Sequence, residues 1–228
     1  MKIRKTKYAL PAVIVLICLF VATAANAGTI TNGFTFAVAS SSGSTATGDH
    51  FHSNTGGAYG NPAGKAEVGR YYSEEVRGLS EYNLTGLSAA SSAFVTFNVF
   101  TAGGLFAGSN AFPFTGNINV YAYQGNNAEN ISDYEAASLG LVGAFGTAGL
   151  LVGNILSFDI TSFFNAAIGS SSLGIRLQAV PLNTNGGAWT FDNFRLTTDN
   201  QTTVPEPATM LLLGLGMIGL AGMRRFKK

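Results

Sequence analysis

Ala93–Phe100 reads AFVTFNVF, and Asn117–Tyr123 reads NINVYAY. In an extended chain, Val95, Phe97 and Val99 fall on one side of the first stretch, with Phe94, Thr96, Asn98 and Phe100 on the other. In the second, Ile118, Val120 and Ala122 oppose Asn117, Asn119, Tyr121 and Tyr123. Both are rich in β-branched and aromatic residues, which suit a pleated, half-buried surface. Working outward, further strands are expected at Thr31–Ala39, Tyr82–Leu84, Ile155–Ile160, Leu173–Val180 and Trp189–Thr197. Glycine, serine, asparagine and proline fill the intervals, as turns require. Short strands with such turns predict an all-β fold, an antiparallel β-sandwich or jelly roll.

One short helix interrupts the strands, Ser162–Ile168, with Thr161 or Ser162 able to cap its first turn and Gly169 placed to stop it. Residues 40–64 (SSSGSTATGDHFHSNTGGAYGNPAG) lack periodicity and read as a long solvated loop. Residues 198–204 (TDNQTTV) read as a polar tether. The expected exported domain is therefore 28–197, and no internal repeat is visible. The run FDIT, one amphipathic turn and then LGIRLQAV resembles the jelly-roll domains of the carbohydrate-binding type found in exported bacterial proteins. FDNFRL, Phe191–Leu196, is similar to the closing strand of many glycan-binding sandwiches.

Charge is scarce and segregated. Of 228 residues, 11% are charged, against about 25% in ordinary soluble domains. Lys2, Arg4, Lys5 and Lys7 open the chain and Arg224, Arg225, Lys227 and Lys228 close it, eight of the 13 cations. Residues 28–207 keep five cations against all 12 carboxylates, a net of −7 that excludes a nucleic-acid partner. With 46% hydrophobic residues the chain has material for a core and is no disordered polymer.

The ends read as addresses. MKIRKTK, an apolar run from Tyr8 to Ala22, and the small-x-small site Ala25-Asn26-Ala27 predict a signal peptide, residues 1–27, cut by signal peptidase between Ala27 and Gly28. Cys18 is the only cysteine and lies in that apolar run; Ile17 before it does not suit lipidation. Cleavage leaves no thiol, which excludes disulfides, thiolate metal sites and cysteine nucleophiles together. At the other end Val204-Pro205-Glu206-Pro207-Ala208 precedes a glycine-interrupted apolar run that stops at Arg224-Arg225. A helix over 208–223 would reach about 24 Å and span with snorkelling arginines. Cationic flanks at both ends place both tails in the cytoplasm and the anionic middle outside, with the chain transiently held in the inner membrane. This tripartite tail, 205–228, resembles the PEP-CTERM sorting signal. The resemblance implies recognition and removal by an exosortase and delivery to the cell envelope or exopolysaccharide, and says nothing of what the cargo does.

Candidate chemistry is sparse. His50 and His52, two apart and preceded by Asp49, would share a face of an extended segment and could begin a Zn²⁺ or Cu²⁺ site, but no further ligand is near in sequence, and the solvated loop is the favoured reading. Asp192 is expected to pair with Arg176 or Arg195 or to serve a structural Ca²⁺; Asp159 admits calcium too, with local capping preferred. Tyr121 and Tyr123, sharing a face with Asn119, and Trp189 are the candidates for stacking on sugars, against a core or rim role. There is no GxSxG, HExxH or phosphate loop. Carboxylate pairs for a glycosidase can be named (Glu74 and Glu75, Asp133 and Glu135, Asp159 and Asp192), but adjacent Glu74 and Glu75 would face opposite sides of a strand. The expectation is a non-enzymatic structural or adhesive protein with exopolysaccharide as partner and no cofactor; a lectin-like, calcium-assisted glycan module is the alternative and a polysaccharide hydrolase the third reading.

Overall fold

The computed structural model describes residues 28–30, 33–41, 47–57, 62–181 and 185–199. The expected signal helix and the expected membrane helix at 208–223 lie outside these. Among the described residues no helix is long and apolar enough to cross a membrane.

Eleven strands form the domain: β1 Gly28–Ile30, β2 Gly33–Ser40, β3 His50–Ser53, β4 Ala66–Tyr71, β5 Glu74–Asn83, β6 Ala93–Thr101, β7 Asn117–Tyr123, β8 Ser138–Gly146, β9 Ile155–Asp159, β10 Ser172–Val180 and β11 Gly187–Thr198. Among the described residues the one α-helix, α1, is Thr161–Ala167. Every strand pair is antiparallel, as the alternating patterns require. All eleven join one hydrogen-bonded sheet, running β8-β7-β10-β5-β4-β11-β6-β9, with β1 on β11, β2 on β5 and β3 on β2. The expected antiparallel all-β fold with a short helix is what forms, as one continuous sheet instead of two separate ones.

The physical reason lies in β5. Strand β2 occupies one of its edges from Glu75 to Tyr82. Both β4, at residues 74–76, and β10, at residues 78–83, must therefore share the other edge. From that fork two arms diverge and enclose a single core. The arms meet again where Phe145 of β8 lies 6.0 Å from Phe158 of β9.

Val95, Phe97 and Val99 point inward at 0–2% exposure, as the alternation demands, while Phe94 and Phe100 stay exposed. Ile118, Val120 and Ala122 are likewise fully buried. Each such side chain contributes roughly 1.5–3 kcal/mol on burial. Phe97 sits at the centre, stacked on Phe194 (4.7 Å) and edge-on to Phe191 (5.5 Å). From α1, Phe164 and Ala167 complete the core.

Several expectations need correction. The Asp159 carboxylate, not a Thr161 or Ser162 side chain, caps α1: it accepts from the Thr161 amide (2.9 Å) and hydroxyl (2.6 Å). Beyond α1 a 3₁₀ turn continues through Gly169 to Ser170, and Ser171, at φ 61°, makes the left-handed stop. Within the expected loop 40–64, His50–Ser53 form β3, because Ala37, Val38 and Ala39 offer them a ladder. Residues 198 and 199 belong to the sheet's end, not to a free tether: Thr198 pairs with Ala93, and the Asp199 carboxylate accepts from the Ser92 amide (3.0 Å).

A second layer covers the outer face of β2, β5 and β10. Phe36, Val38, Leu79, Tyr123 and Tyr134 form a smaller apolar cluster there. A 3₁₀ turn, Ile131–Tyr134, is held over it by two arginines: Arg77 donates to the Tyr134 carbonyl at 2.7 Å, and Arg176 to the same carbonyl at 3.1 Å and to that of Ala136 at 2.9 Å. Burial of the Arg77 guanidinium is offset by the Tyr134 carbonyl and the Glu75 carboxylate, whereas Arg176 is held by carbonyls through Nη1 and its buried Nε has no hydrogen-bond partner among the described residues.

Candidate functional site

Strands β3, β4 and the start of β5 converge on a cavity of about 260 Å³ lined by His50, Phe51, His52, Tyr71, Glu74 and Phe106. Side chains two apart on a strand share a face, so β3 turns His50 and His52 toward the cavity. Phe51, between them, packs 6.1 Å from Phe36 in the second apolar cluster. His52 is 3% exposed and His50 41%.

Each imidazole has a carboxylate at Nδ1. Glu67 of β4, fully buried, faces His52 Nδ1 at 3.1 Å. It also accepts from the Leu105 amide (2.9 Å) and the Asn110 side-chain amide, so the loop carrying Phe106 and the histidine share one anchor. Asp49 contacts His50 Nδ1 and accepts from the Ser41 amide at 2.9 Å. Hydrogen bonds from the Ser41 hydroxyl and from His50 hold the Asp49 carboxyl below its usual range. In a neutral ring a carboxylate at Nδ1 draws the proton there and leaves the lone pair on Nε2. Both Nε2 atoms face Glu74 Oε2, at 3.5 Å from His50 and 3.8 Å from His52. Aromatic walls close the sides: Phe106 lies 4.5 Å from the His52 ring and Tyr71 5.4 Å. Among the described residues no group of three or more His, Cys, Asp or Glu side chains is closed up to hold a metal ion as it stands.

The histidines are therefore strand residues in a built pocket, not members of a solvated loop. Glu67 and Phe106 were missed in the sequence, and Glu74 was named only in a carboxylate pair with Glu75, since β4 and β5 carry charge on both faces and hide their alternation. Glu74 and Glu75 do face opposite sides: Glu74 the cavity, Glu75 the Arg77 guanidinium at 2.9 Å and the Tyr134 hydroxyl at 2.8 Å.

The other expected sites separate. Asp192 pairs with Lys65 at 2.7 Å, not with Arg176 or Arg195, because a bulge with Asn193 at φ 51° turns it toward β4. Lys65 also lies 3.8 Å over the Phe100 ring. Asp159 is occupied in capping α1. Tyr123 is fully buried and has no face for a sugar. Trp189 is a core residue at 4% exposure whose indole donates to the Phe114 carbonyl at 2.9 Å. Asn119 and Tyr121 remain half-exposed, with the Asn119 amide donating to the Tyr121 hydroxyl at 2.9 Å.

No curated protein matches the chain. Among solved structures it is similar to the Stig cyclase FisC from Fischerella sp. TAU, crystallised with (3Z)-3-(1-methyl-2-pyrrolidinylidene)-3H-indole, at 16% identity and a TM-score of 0.33, covering 77% of this chain and 90% of that one. Residues 203–225 match the PEP-CTERM protein-sorting motif, beginning just before Val204-Pro205-Glu206-Pro207-Ala208 and ending at Arg225. The chain thus carries the PEP-CTERM sorting motif, the mark of an extracellular protein sorted by an exosortase.

Proposed function

We propose that the exported domain is a non-enzymatic structural and adhesive component of the envelope or extracellular matrix, lying against exopolysaccharide once exosortase has processed its tail. During export, signal peptidase removes 1–27 and the apolar run at 208–223 holds the chain in the inner membrane with both charged tails on the cytoplasmic side. The rolled antiparallel sheet is compatible with kinship to the jelly-roll domains that carry glycan-binding faces.

One observation carries the reading: a half-exposed strip on the outer face of β7 and β10. Asn119 and Gln178 are register partners, as are Tyr121 and Arg176. The strip thus sets amides beside a phenol ring. Gln178 is held by its bond to Glu75 (3.2 Å) and Tyr121 by Asn119 (2.9 Å). Held amides bind hydroxyls and a ring face takes sugar C–H groups, at a small ordering cost.

The test is retention of the purified protein on exopolysaccharide and on a glycan array, with and without chelator. Weak retention on many polysaccharides, reduced severalfold by Tyr121→Ala, is expected. Unchanged retention in that variant overturns the strip. Saturable, chelator-sensitive binding of one glycan would instead make the domain a lectin-like module using calcium. Hydrolysis lost on replacing one carboxylate would make it an enzyme.

A further inference from the structure

We propose that His50, His52 and Glu74 form a binding site for one divalent transition-metal ion of the zinc and copper class, with Asp49 and Glu67 as positioning residues behind the two imidazoles. This rests on nothing in the glycan reading, which concerns the far side of β5.

The argument starts from the ring nitrogens. The carboxylates at both Nδ1 positions orient the rings, and both Nε2 atoms face the one Glu74 oxygen. Metal-bound histidines have this arrangement: the distal nitrogen donates to a carboxylate while the other nitrogen ligates. Charge points the same way. Asp49, Glu67 and Glu74 bring three carboxylates to two imidazoles, while Lys65 is engaged by Asp192, Arg77 by Glu75, and Arg70 of β4 donates its Nε to the Tyr72 carbonyl. A dication would offset this excess.

The donor set selects the ion. Two imidazoles and one carboxylate suit zinc, copper or nickel, whereas calcium and magnesium take oxygen ligands. Neighbouring ligands on a tetrahedral zinc ion are about 3.4 Å apart, given bonds of about 2.0–2.2 Å. His50 Nε2 and Glu74 are already 3.5 Å apart and His52 Nε2 and Glu74 3.8 Å. The ring centroids, 6.3 Å apart, must approach to about 5 Å for both imidazoles to bind one such ion. That closure falls to the exposed His50 side chain, while buried His52 stays fixed by Glu67. Three protein ligands leave a fourth position for water, and the Tyr71 and Phe106 rings make its surroundings apolar.

Background binding is low, because these are the only histidines and Cys18 the only cysteine. The full chain, stripped of metal and alkylated at Cys18, is titrated with Zn²⁺ against a chromophoric chelator, and separately with Cu²⁺. One equivalent per chain is expected. His50→Gln and Glu74→Gln, both at partly exposed positions, should each weaken Zn²⁺ binding at least tenfold with the circular dichroism spectrum unchanged. Glu67→Gln should weaken it about 10–100-fold through the orientation of His52. Absence of saturable binding of either ion, or a His50→Gln, Glu74→Gln double variant that binds like the parent, overturns the site.

Discussion

Gly174 to alanine is the change for which the fold makes its sharpest demand. Gly174 of β10 is the register partner of Tyr123 of β7. The Tyr123 ring lies across it, so that a Cβ on residue 174 would come within 3.0 Å of Cζ, Cε1 and Cε2 of that ring. Tyr123 is fully buried in the second apolar cluster with Phe36, Val38, Leu79 and Tyr134. Overpacking of this kind costs about 1–3 kcal/mol, and complete ejection of a buried ring about 3–5 kcal/mol, so about 3 kcal/mol is expected. With a urea m-value of about 2 kcal/mol/M, the denaturation midpoint should fall by about 1.5 M. The decisive assay is a double-mutant cycle. With Tyr123→Ala in place the ring is gone, and Gly174→Ala should cost less than about 1 kcal/mol, a coupling of about 2 kcal/mol. Additive costs, within about 0.5 kcal/mol, would refute the argument from ring contact.

Three other outcomes follow from the same packing. Burial, with smaller contributions from Glu81 and Glu129, pushes the Asp133 carboxyl up to about 6, against an opposing hydrogen bond from the Asn130 amide. A carboxyl raised on folding favours the native state below its unfolded pKa of about 4, and this advantage is lost as pH rises through about 6. Asp133→Asn should therefore raise stability by about 1–2 kcal/mol at pH 7.5 and by nothing near pH 3.5; denaturation at both pH values checks the sign. Phe97→Ala removes the ring that touches Phe145, Phe158, Phe191 and Phe194 and should cost about 3–5 kcal/mol in urea, against less than about 1 kcal/mol for exposed Phe94→Ala on the same strand. Asp192→Ala strands the Lys65 ammonium at 14% exposure and should cost more than the Lys65→Met, Asp192→Leu pair, because an unpaired charge is worse than none; calorimetric midpoints compare them.

Period-two alternation and the C-terminal sorting motif were legible without coordinates. AFVTFNVF and NINVYAY bury the side chains their spacing designates, since one face of a strand must meet a core whatever its partner. The tail motif was readable because an enzyme reads it as a linear signal. Strand β5 was seen only at Tyr82–Leu84, since EEVRGLSE carries its charges on both faces and looks solvated. Glu75 and Arg77 are buried because the Ile131–Tyr134 turn covers them and supplies carbonyls to Arg77 and Arg176, and that turn is more than fifty residues away from Arg77.

The candidate site divides in the same way. That His50 and His52 would share a face if extended was stated by their spacing. That they are extended at all was decided by the β2 edge, and their carboxylate partners come from 15 residues onward for Glu67 and from beyond the β4–β5 hairpin for Glu74. The amino-acid order alone determined where polarity alternates and where the chain is addressed, because these depend on neighbours along the backbone. Only the folded sheet decided which charges are buried and which imidazoles meet, because those depend on strands brought together from distant segments.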